Sequence, residues 1–512
     1  MSEVKIDGHS LTIEHIHEVA RGGAKIALSA KGKAQVDRCR SVIEDMVNSG
    51  EAIYGVTTGI GEFARIRVSP EQGSELQKRI IYSHAAGTGE PFPQDVVKAA
   101  MLVRANVIAK GYSGVRSSVL ATYIEMANRG VIPVVAEKGS LGVSGDLSPM
   151  SQLAEVILGE GEAYYQGKRM PGGEAMKRAG LQPITLSYKE GLGLINGSQM
   201  MTAGLALLIY EAERLIKNAI IAGSMTIDAL KSVPKAFDAR LHSVRPFNGQ
   251  NAVAAIIRRL TEGSEIIADK SGKVQDGYSL RCTPQVVGPA IDALFYTREQ
   301  VEIEINSAAD NPLFFPDDNV HLAGGNFHGQ PIALVADFLG MAISEVADLS
   351  ERHTNRLMNP VLSGLPDFLV EGRGLNSGMM VAQYTAAALV SENKVLSHPA
   401  SVDSISVSAD QEDHVSMGPI AVRKLGEIIR NVRAVIAIEM MAAAQAFDFR
   451  APKKPGKGTQ IAYEEIRKVV THLEDDRVLY PDIEKIRRII EDNTILSRVE
   501  EELGPLSLKW ER

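Results

Sequence analysis

The stretch PIALVADFLGMAISEVADLSERHTNRL (Pro331–Leu357) has the periodicity of a long amphipathic helix and decides the fold class. Apolar and charged side chains recur three and four positions apart, so each set is expected along one side of the helix. The apolar set is Val335, Phe338, Leu339, Ala342, Val346 and Leu349, and the charged set is Asp337, Glu345, Asp348 and Arg352. A helix of this length needs partners to bury its apolar side. The pattern predicts a mainly α protein with a long central helical bundle.

Two more long helices are predicted before and after this one, at Met201–Lys217 and Pro419–Phe449. The Pro/Gly/Lys stretch Ala451–Gly458 must interrupt the helical pattern, which returns in Tyr463–Glu511 with Pro481 at a helix start. Residues before about Gly197 are instead broken by frequent Gly and Pro. The chain is therefore predicted to divide into a Gly-rich, loop-containing N-terminal region (1–197), a central helical bundle (198–450) and a C-terminal helical segment (451–512).

Composition excludes several classes of protein. The 512 residues include 55 Lys+Arg and 63 Asp+Glu, a net charge of −8, which argues against a nucleic-acid or anionic-membrane binder. Two cysteines exclude a disulfide framework and argue against a Cys-based zinc site. The start, MSEVKIDGHSLTIEH, has no signal-peptide pattern, and the uncharged run Gly191–Tyr210 carries polar groups that favour a buried helix over a membrane span. We expect a cytoplasmic protein.

The segment KGSLGVSGDLSP (Lys138–Pro149) allows two interpretations. Ser144 or Asp146 could cap a helix that begins near Leu147, with Pro149 in its first turn. If the turn is strained enough, the Gly145 amide nitrogen could instead attack the carbonyl carbon of Val143. Loss of water would close a five-membered ring, and dehydration of Ser144 would leave an electrophilic methylene. The two interpretations are compatible, because a helix N-terminus also stabilises nearby negative charge.

This segment resembles the prosthetic-group loop of the aromatic amino acid ammonia-lyases and aminomutases. In that family Ala-Ser-Gly matures to 4-methylidene-imidazol-5-one (MIO), and the resemblance continues in the same motif order from Tyr54 to His414. It implies the fumarase/aspartase-like ammonia-lyase fold, an MIO formed from Val143, Ser144 and Gly145, and a homotetramer whose sites are shared between subunits.

Two N-terminal motifs acquire roles from the resemblance. YGVTTGIGEF matches the loop whose tyrosine removes the substrate's β-proton, which would be Tyr54; the site must then favour the phenolate, because an ordinary tyrosine pKa of about 10 makes a poor base. YSHAAGTG places Ser83 and His84 at the pair that faces the substrate ring. That pair is of the histidine-directed type, and His84 could exchange a hydrogen bond with an imidazole. Taken by itself, His84 reads as an ordinary helix histidine.

The later motifs supply the other residues that the resemblance assigns. Asn196 in LINGSQ would contact the MIO or the substrate, and Phe327 in AGGNFHGQP would pack against the MIO. VQDGYSLRCTPQ provides Gln275, Tyr278 and Arg281, the last two being three positions apart. Arg281 would bind the substrate carboxylate through two parallel hydrogen bonds, and Tyr278 could donate to the departing amine.

SADQEDHVSMG is the second motif of the histidine-directed type. Gln411 and Glu412 occupy its substrate positions, and Glu412 would accept a hydrogen bond or proton from an imidazole. Asp413 and His414 lack further ligands at metal-binding spacing, so no metal site is assigned.

Five positions depart from the family pattern. Val143 stands where Ala is usual, Gly277 where Pro is usual, and Asp410 where Asn is usual, while GNFHGQP differs from the histidine-type GNFHAEP. The side chain of Val143 would decorate the ring without being consumed, and Gly277 should loosen its loop.

Three hypotheses follow from these motifs. The first is non-oxidative deamination of L-histidine to trans-urocanate and ammonia. The second is an MIO-dependent aromatic amino acid 2,3-aminomutase, or a lyase for another aromatic amino acid. The third is a non-catalytic helical scaffold in which Val143 prevents MIO formation, against which the joint presence of the other site residues speaks.

Overall fold

The computed structural model describes residues 2–69, 72–268 and 272–510. The helices are α1 (Ile13–Ala20), α2 (Ala30–Asn48), α3 (Gly73–His84), α4 (Gln94–Ala109), α5 (Ser117–Asn128), α6 (Leu147–Glu155), α7 (Gly172–Arg178), α8 (Glu190–Ile195), α9 (Gln199–Ala229), α10 (Ala239–Ser243), α11 (Asn248–Leu260), α12 (Glu265–Ala268), α13 (Tyr278–Arg281), α14 (Thr283–Glu304), α15 (Gln330–Met358), α16 (Pro360–Ser363), α17 (Met380–Leu396), α18 (Gly418–Asp448), α19 (Lys457–Val469), α20 (Tyr480–Glu491) and α21 (Thr494–Leu503). The strands are β1 (Glu3–Ile6), β2 (Lys25–Leu28), β3 (Thr88–Pro91), β4 (Ile132–Pro133), β5 (Ala136–Lys138), β6 (Glu162–Tyr165), β7 (Lys168–Pro171), β8 (Leu313–Phe315) and β9 (Val320–Leu322).

The prediction of a mainly α protein is confirmed. The three long predicted helices are α9, α15 and α18, although α9 ends at Ala229 rather than at Lys217. The helix continues because the residues after Lys217 stay apolar and are buried. In the predicted C-terminal tail Pro481 lies in the first turn of α20, whereas Glu511 lies outside the described residues.

The burial of α15 departs from its periodicity at one adjacent pair. Phe338 of the apolar set is 44% exposed in the single chain, and Asp337 of the charged set is 5% exposed. Asp337 is buried because its carboxylate accepts a hydrogen bond from the Ser401 amide, 2.8 Å away. A long-range contact thus overrides the helical periodicity at this point.

The described residues form two compact units, each assembled from three segments that are distant in sequence. Unit 1 contains residues 1–210, 297–337 and 399–423, and unit 2 contains residues 211–296, 338–398 and 424–512. These bounds differ from the predicted division after residues 197 and 450. Composition changes along the chain, whereas a compact unit depends on which segments pack together.

Unit 1 carries the sheets and the short helices. Strands β1 and β2 pair in parallel, β4, β6 and β7 form an antiparallel sheet, and β3–β5 and β8–β9 are antiparallel pairs. The second half of α4 is completely buried and forms the centre of this unit. The uncharged run Gly191–Tyr210 folds as α8, a polar turn and the start of α9, as predicted.

Unit 2 is a helical bundle with α18 at its core. The α18 residues from Val435 to Ala446 are all buried, and α19 packs against α21. The turn between α18 and α19 is held by the buried Asp228, whose carboxylate accepts hydrogen bonds from the Gly456 amide (2.8 Å) and the Thr459 hydroxyl (2.7 Å). No helix in the described ranges is long and apolar enough to cross a membrane.

Candidate active site

The turn at Val143–Gly145 reverses the chain immediately before α6. Ser144 has a φ of 46° and Gly145 a φ of 81°, and the Gly145 amide donates to the Gly142 carbonyl, 3.3 Å away. A residue with a Cβ in the left-handed region costs roughly 1–2 kcal/mol. Ser144 is therefore strained, which is the condition expected for ring closure.

The backbone of Gly197 lies directly against this turn. The Gly197 amide donates to the Ser144 carbonyl (3.0 Å), and the Asp146 amide donates to the Gly197 carbonyl (2.8 Å). A Cβ on Gly145 would lie 2.1 Å from the Gly197 carbonyl carbon. Only a glycine allows this contact, which joins the predicted prosthetic-group turn to the LINGSQ motif.

Asn196 presents an unsatisfied acceptor next to the same contact. Its side chain is 4% exposed, and its Oδ1 has no hydrogen-bond partner in the described part of the chain. A buried acceptor without a donor is unfavourable. The orphaned oxygen, the strained Ser144 and the backbone contact fit a prosthetic group formed at residues 143–145.

A buried ionic cluster that sequence reasoning missed supports the Asn196 backbone. Arg104, Lys189 and Asp310 are fully buried; Arg104 donates to the Asn196 carbonyl at 2.7 Å, and both cations pair with Asp310. Burial lowers the pKa of Lys189, and the charge of Asp310 opposes that change. The available signal was Arg104 itself, a lone charge within the apolar run AAMLVRANVIA.

Asp146 does not cap α6 as predicted. The helix begins at Leu147, as expected, but neither the Ser144 nor the Asp146 side chain accepts a hydrogen bond from the first turn. The Asp146 carboxylate turns to α9 instead and accepts from the Met201 amide at 2.8 Å, because first-turn amides lack partners in their own helix. Burial raises its pKa to about 7, and its Oδ1 is unpaired.

Tyr54 lies in a loop that is anchored on both sides. Ile53 and Val56 are buried in an apolar cluster with α2 and Phe314. The buried Gln77 side chain donates to the Gly55 carbonyl (2.9 Å) and accepts from the Leu192 amide (3.1 Å), which ties the loop to α8. Sequence reasoning did not identify Gln77, since no local pattern marks it.

The unit 1 residues around Tyr54 do not by themselves favour its phenolate. The Gly61 amide donates to the phenol oxygen at 2.9 Å, which favours the phenolate. Burial acts in the opposite direction, and the charge of Glu412 adds to it, so the pKa of Tyr54 is raised. Deprotonation of Tyr54 therefore requires a further influence on this environment.

Glu412 is the point at which several predicted residues meet. The Ser144 hydroxyl donates to its Oε1 at 3.3 Å, while Tyr54 and His84 are close enough for electrostatic interaction with its carboxylate. Burial raises the pKa of Glu412, and Ser144 and His84 partly offset this effect. The Glu412 carboxylate thus interacts with the turn at Ser144, with Tyr54 and with His84.

The loop before Glu412 explains one departure from the family pattern. Ser408, Ala409 and Asp410 have φ values of 55°, 51° and 62°, and the exposed Gln411 closes the turn through its amide to the Ser408 carbonyl at 3.1 Å. Asn and Asp are the non-glycine residues that best tolerate the left-handed region. Asp410 is therefore an acceptable replacement for the usual Asn.

His84 is satisfied on one side of its ring only. Its Nδ1 lies 2.7 Å from the Ile80 carbonyl and 2.9 Å from the Ser83 hydroxyl at the end of α3. A carbonyl only accepts, so Nδ1 carries the hydrogen, and Nε2 of a neutral ring is an acceptor. Within the described residues Nε2 has no hydrogen bond, so this nitrogen is free to accept from a ligand, and the role of His84 stays a prediction.

The GNFHGQP motif of Phe327 lies against the segment that follows Glu412. Phe327 is half-buried between β9 and α15, and the neighbouring His328 ring lies 5.6 Å from the His414 ring. A Cβ on Gly329 would lie 2.6 Å from Met201 Sδ, and the side-chain Nε2 of Gln330 donates to the Ser401 carbonyl at 2.9 Å. A glutamate at 330 could not donate this hydrogen bond, and an alanine at 329 would require Met201 to move.

Four helices of unit 1 begin at these motifs. Each starts within six residues of a predicted site residue, at Leu147, Gln199, Gln330 and Gly418. Ser416 and Met201 pack among these helix starts. Ser416 lies so close to Gly142 that a Cβ there would be 2.1 Å from Ser416 Oγ. Helix N-termini carry partial positive charge, so the arrangement favours negative charge at the site.

The three remaining predicted residues belong to unit 2. Gln275 is exposed, and Tyr278 is 74% exposed at the start of α13. The Arg281 guanidinium lies 4.7 Å from the Tyr278 ring centre, and its Nε is buried without a partner. That these three residues act in one site with the unit 1 residues stays a prediction.

Gly277, predicted to loosen this turn, is closely packed. A Cβ at this position would lie 2.7 Å from the Arg356 guanidinium of α15. A proline ring at this position would therefore require the Arg356 side chain to move.

Within the described ranges, no group of three or more His, Cys, Asp or Glu side chains is placed so that it could hold a metal ion. His414, which the sequence left without accompanying ligands, contacts His328 only through its backbone and ring.

Comparison with known proteins agrees with this geometry. The family described as aromatic amino acid lyase matches residues 11–468. The histidine ammonia-lyase of Alkaliphilus oremlandii (strain OhILAs) is 52% identical over 501 residues, which cover 98% of this chain and 99% of that protein. The crystal structure of histidine ammonia-lyase from Trypanosoma cruzi is 38% identical with a TM-score of 0.92, covering 100% of this chain and 98% of that one. Tyrosine aminomutase from Streptomyces globisporus is 36% identical with a TM-score of 0.94, covering 99% and 100%.

Proposed function

The chain belongs to the aromatic amino acid lyase family, and on that premise we propose that it is an enzyme that deaminates L-histidine to trans-urocanate and ammonia. The observation that carries the proposal is the position of the Glu412 carboxylate, which interacts with His84 and lies beside the turn that would mature, where the Ser144 hydroxyl of the unmatured chain donates to it. The Glu412 carboxylate is an acceptor between the prosthetic-group turn and the His84 ring. Such an acceptor suits a substrate whose own side chain is an imidazole.

We propose that Val143, Ser144 and Gly145 mature to MIO, with Asn196 Oδ1 as a hydrogen-bond partner. The unpaired state of that buried oxygen supports this assignment. When formed, MIO supplies an electrophilic methylene that makes the α-amino group a better leaving group. The helix N-termini around the turn would stabilise the negative charge that develops there.

Substrate binding is divided between two sets of side chains in this proposal. Glu412 and His84 hold the imidazole, with Ser83 and Gln411 beside them. Arg281 binds the carboxylate, for which the unpartnered Nε of its guanidinium is suited, with Gln275 beside it.

Proton transfer is assigned to two tyrosines. Tyr54 removes the β-proton, and the Gly61 amide at 2.9 Å stabilises its phenolate. A bound imidazole that neutralises the charge of Glu412 would remove one of the two influences that raise the pKa of Tyr54. Tyr278 donates a proton to the departing amine, and Phe327 holds MIO in position by packing.

We propose, as the resemblance implies, that the enzyme is a cytoplasmic homotetramer whose sites draw residues from several subunits. Its mass in solution should then be four times that of the chain. Mixed tetramers of Tyr54→Phe and Arg281→Met chains should recover part of the activity that each variant lacks. Recovery that depends on mixing before assembly supports shared sites, and no recovery contradicts them.

The direct test is to follow the ultraviolet absorbance of urocanate after addition of L-histidine to the purified protein. A rise in the wild type that is lost in Ser144→Ala supports both the substrate and the prosthetic group. The intact mass of the wild type should be two water molecules below that of the sequence, whereas Ser144→Ala should lack this deficit. A β-amino acid product would indicate an aminomutase, activity on another aromatic amino acid would refute the substrate assignment, and an undiminished mass would refute MIO formation.

A further inference from the structure

A buried polar network of unit 2 lies outside the residues assigned above. Glu439 of α18 is 1% exposed and accepts three hydrogen bonds, from Thr226 Oγ1 (2.8 Å), Ser350 Oγ (2.6 Å) and His353 Nδ1 (2.7 Å). His353 is 2% exposed. A buried carboxylate with three donors is fully paired and holds its neighbours firmly.

His353 uses both ring nitrogens as donors. Its Nδ1 faces the Glu439 carboxylate, and its Nε2 lies 2.6 Å from the Ser279 carbonyl. Both partners only accept, so the ring is an imidazolium. Burial lowers the pKa of His353, but Glu439 and the two hydrogen bonds outweigh burial, and the net change is a raised pKa. The other charged group near the ring is Arg356.

The carbonyl that His353 binds lies within the turn that carries Tyr278 and Arg281. Ser279 O also accepts from Thr283 Oγ1 at 3.0 Å, at the break between α13 and α14. The Arg281 amide, in turn, donates to the Gly277 carbonyl at 3.1 Å. A charged donor on a mid-turn carbonyl fixes the direction of the whole turn.

The surroundings leave His353 little freedom. A Cβ on Gly223 of α9 would lie 3.3 Å from His353 Cε1, so the helix backbone packs against the ring. The ring is thus held between a carboxylate, a helix backbone and the turn. The position of the His353 ring therefore fixes the position of the Ser279 carbonyl.

We propose that His353, fixed by Glu439, is a positioning residue that sets the orientation of Tyr278 and Arg281 through the Ser279 carbonyl. The assignment rests on the proposed roles of Tyr278 and Arg281 in catalysis and carboxylate binding. His353 itself is not required to touch substrate.

The test compares His353→Gln with His242→Gln in the full-length mature enzyme. His242 is a matched control in the same unit, because it is also buried and also binds a carbonyl through Nε2, at 3.0 Å to Ala236, away from the Tyr278 turn. Glutamine can satisfy one partner of His353 but cannot carry its charge. Intact mass would confirm that both variants have formed the prosthetic group.

Two readouts separate positioning from general destabilisation. Hydrogen–deuterium exchange of the Leu280, Arg281 and Cys282 amides should become at least about tenfold faster in His353→Gln and stay unchanged in His242→Gln. With L-histidine, KM should rise and kcat should fall in His353→Gln, with a combined loss of about tenfold to hundredfold. Adding His353→Gln to Arg281→Lys should cost less than the sum of the two single losses.

Unchanged exchange at these three amides in His353→Gln would overturn the proposal, as would equal acceleration in His242→Gln. The exchange measurement needs no substrate, so it decides the positioning role even if the wild type proves inactive on L-histidine. If His353→Gln does not accumulate as folded protein, Glu439→Gln replaces it, since it removes the charge that holds the imidazolium. The same faster exchange is expected there, and its absence would equally overturn the proposal.

Discussion

The Val143–Gly145 turn of unit 1 and the Tyr278–Arg281 turn of unit 2 are fixed by different means. The first is held by backbone against backbone, where glycines approach so closely that a Cβ would lie 2.1 Å from Gly197. The second is held by side chains, namely His353 below it and Arg356 beside it. A substitution that adds an atom to the first turn should therefore be strongly destabilising. The effect of a substitution in the second turn should depend on which side chains surround it.

The largest effect is expected for Gly145→Ala. The new methyl group meets the Gly197 backbone at a left-handed φ of 81°, so we expect destabilisation by about 3–5 kcal/mol and loss of measurable activity. Gly130→Ala is the control, because its φ of 76° is similar but no atom lies within 4 Å. That change should cost only about 1–2 kcal/mol. If urea unfolding shows equal losses of unfolding free energy for Gly145→Ala and Gly130→Ala, the left-handed φ, and not contact with Gly197, is what requires glycine in the first turn.

A smaller effect, visible in its pH dependence, is expected for Asp146→Asn. Its folded-state pKa of about 7 lies above the ordinary 3.8, so the folded protein binds more protons than the unfolded chain between these values. The wild type should therefore lose stability as pH rises through this range, by about 1.4 kcal/mol per unit of pKa difference. Asn keeps an acceptor for Met201 without this titration. The substitution should cost less at about pH 8 than at about pH 5 in chemical unfolding, and a pH-independent difference would contradict the assignment.

Glu412→Gln should change substrate binding and pH dependence together. Loss of the carboxylate should raise KM for L-histidine about tenfold to hundredfold. Because Glu412 raises the pKa of Tyr54 in the substrate-free protein, its removal should move the rise of kcat/KM with pH toward lower pH. Asp413→Asn is the control at a neighbouring exposed carboxylate. If kcat/KM still rises at the wild-type pH in Glu412→Gln, Tyr54 is not the group that titrates.

The smallest effect is expected for Gly277→Pro in the second turn. The φ of −61° at this position suits proline, so only the Arg356 guanidinium opposes it. A flexible side chain can move, and we expect a loss of no more than about 1 kcal/mol. In an Arg356→Ala background the same proline should stabilise by about 0.4–1 kcal/mol. Equal costs in both backgrounds, measured by thermal unfolding, would show that Arg356 does not explain the glycine.

The motifs predicted which unit 1 residues would meet, but not how they would meet. Ser144, Glu412, His84 and Tyr54 come from four distant segments and share one carboxylate. Their chemical types were readable because each motif has a characteristic composition. Their protonation was not readable: the pKa of Tyr54 is raised by burial and by the charge of Glu412, and both influences arise only when these segments pack together.

The sequence by itself determined the helical architecture, the places where the long helices lie and the residue types of the site. These are local properties, since the helical repeat and turn chemistry depend on neighbours along the chain. Only the tertiary structure decided that Asp337 is buried, that Gln77 and Arg104 support the site loops, and that Glu439 and His353 hold the Tyr278 turn. Each of these depends on hydrogen bonds between residues tens to hundreds of positions apart, which no local pattern records.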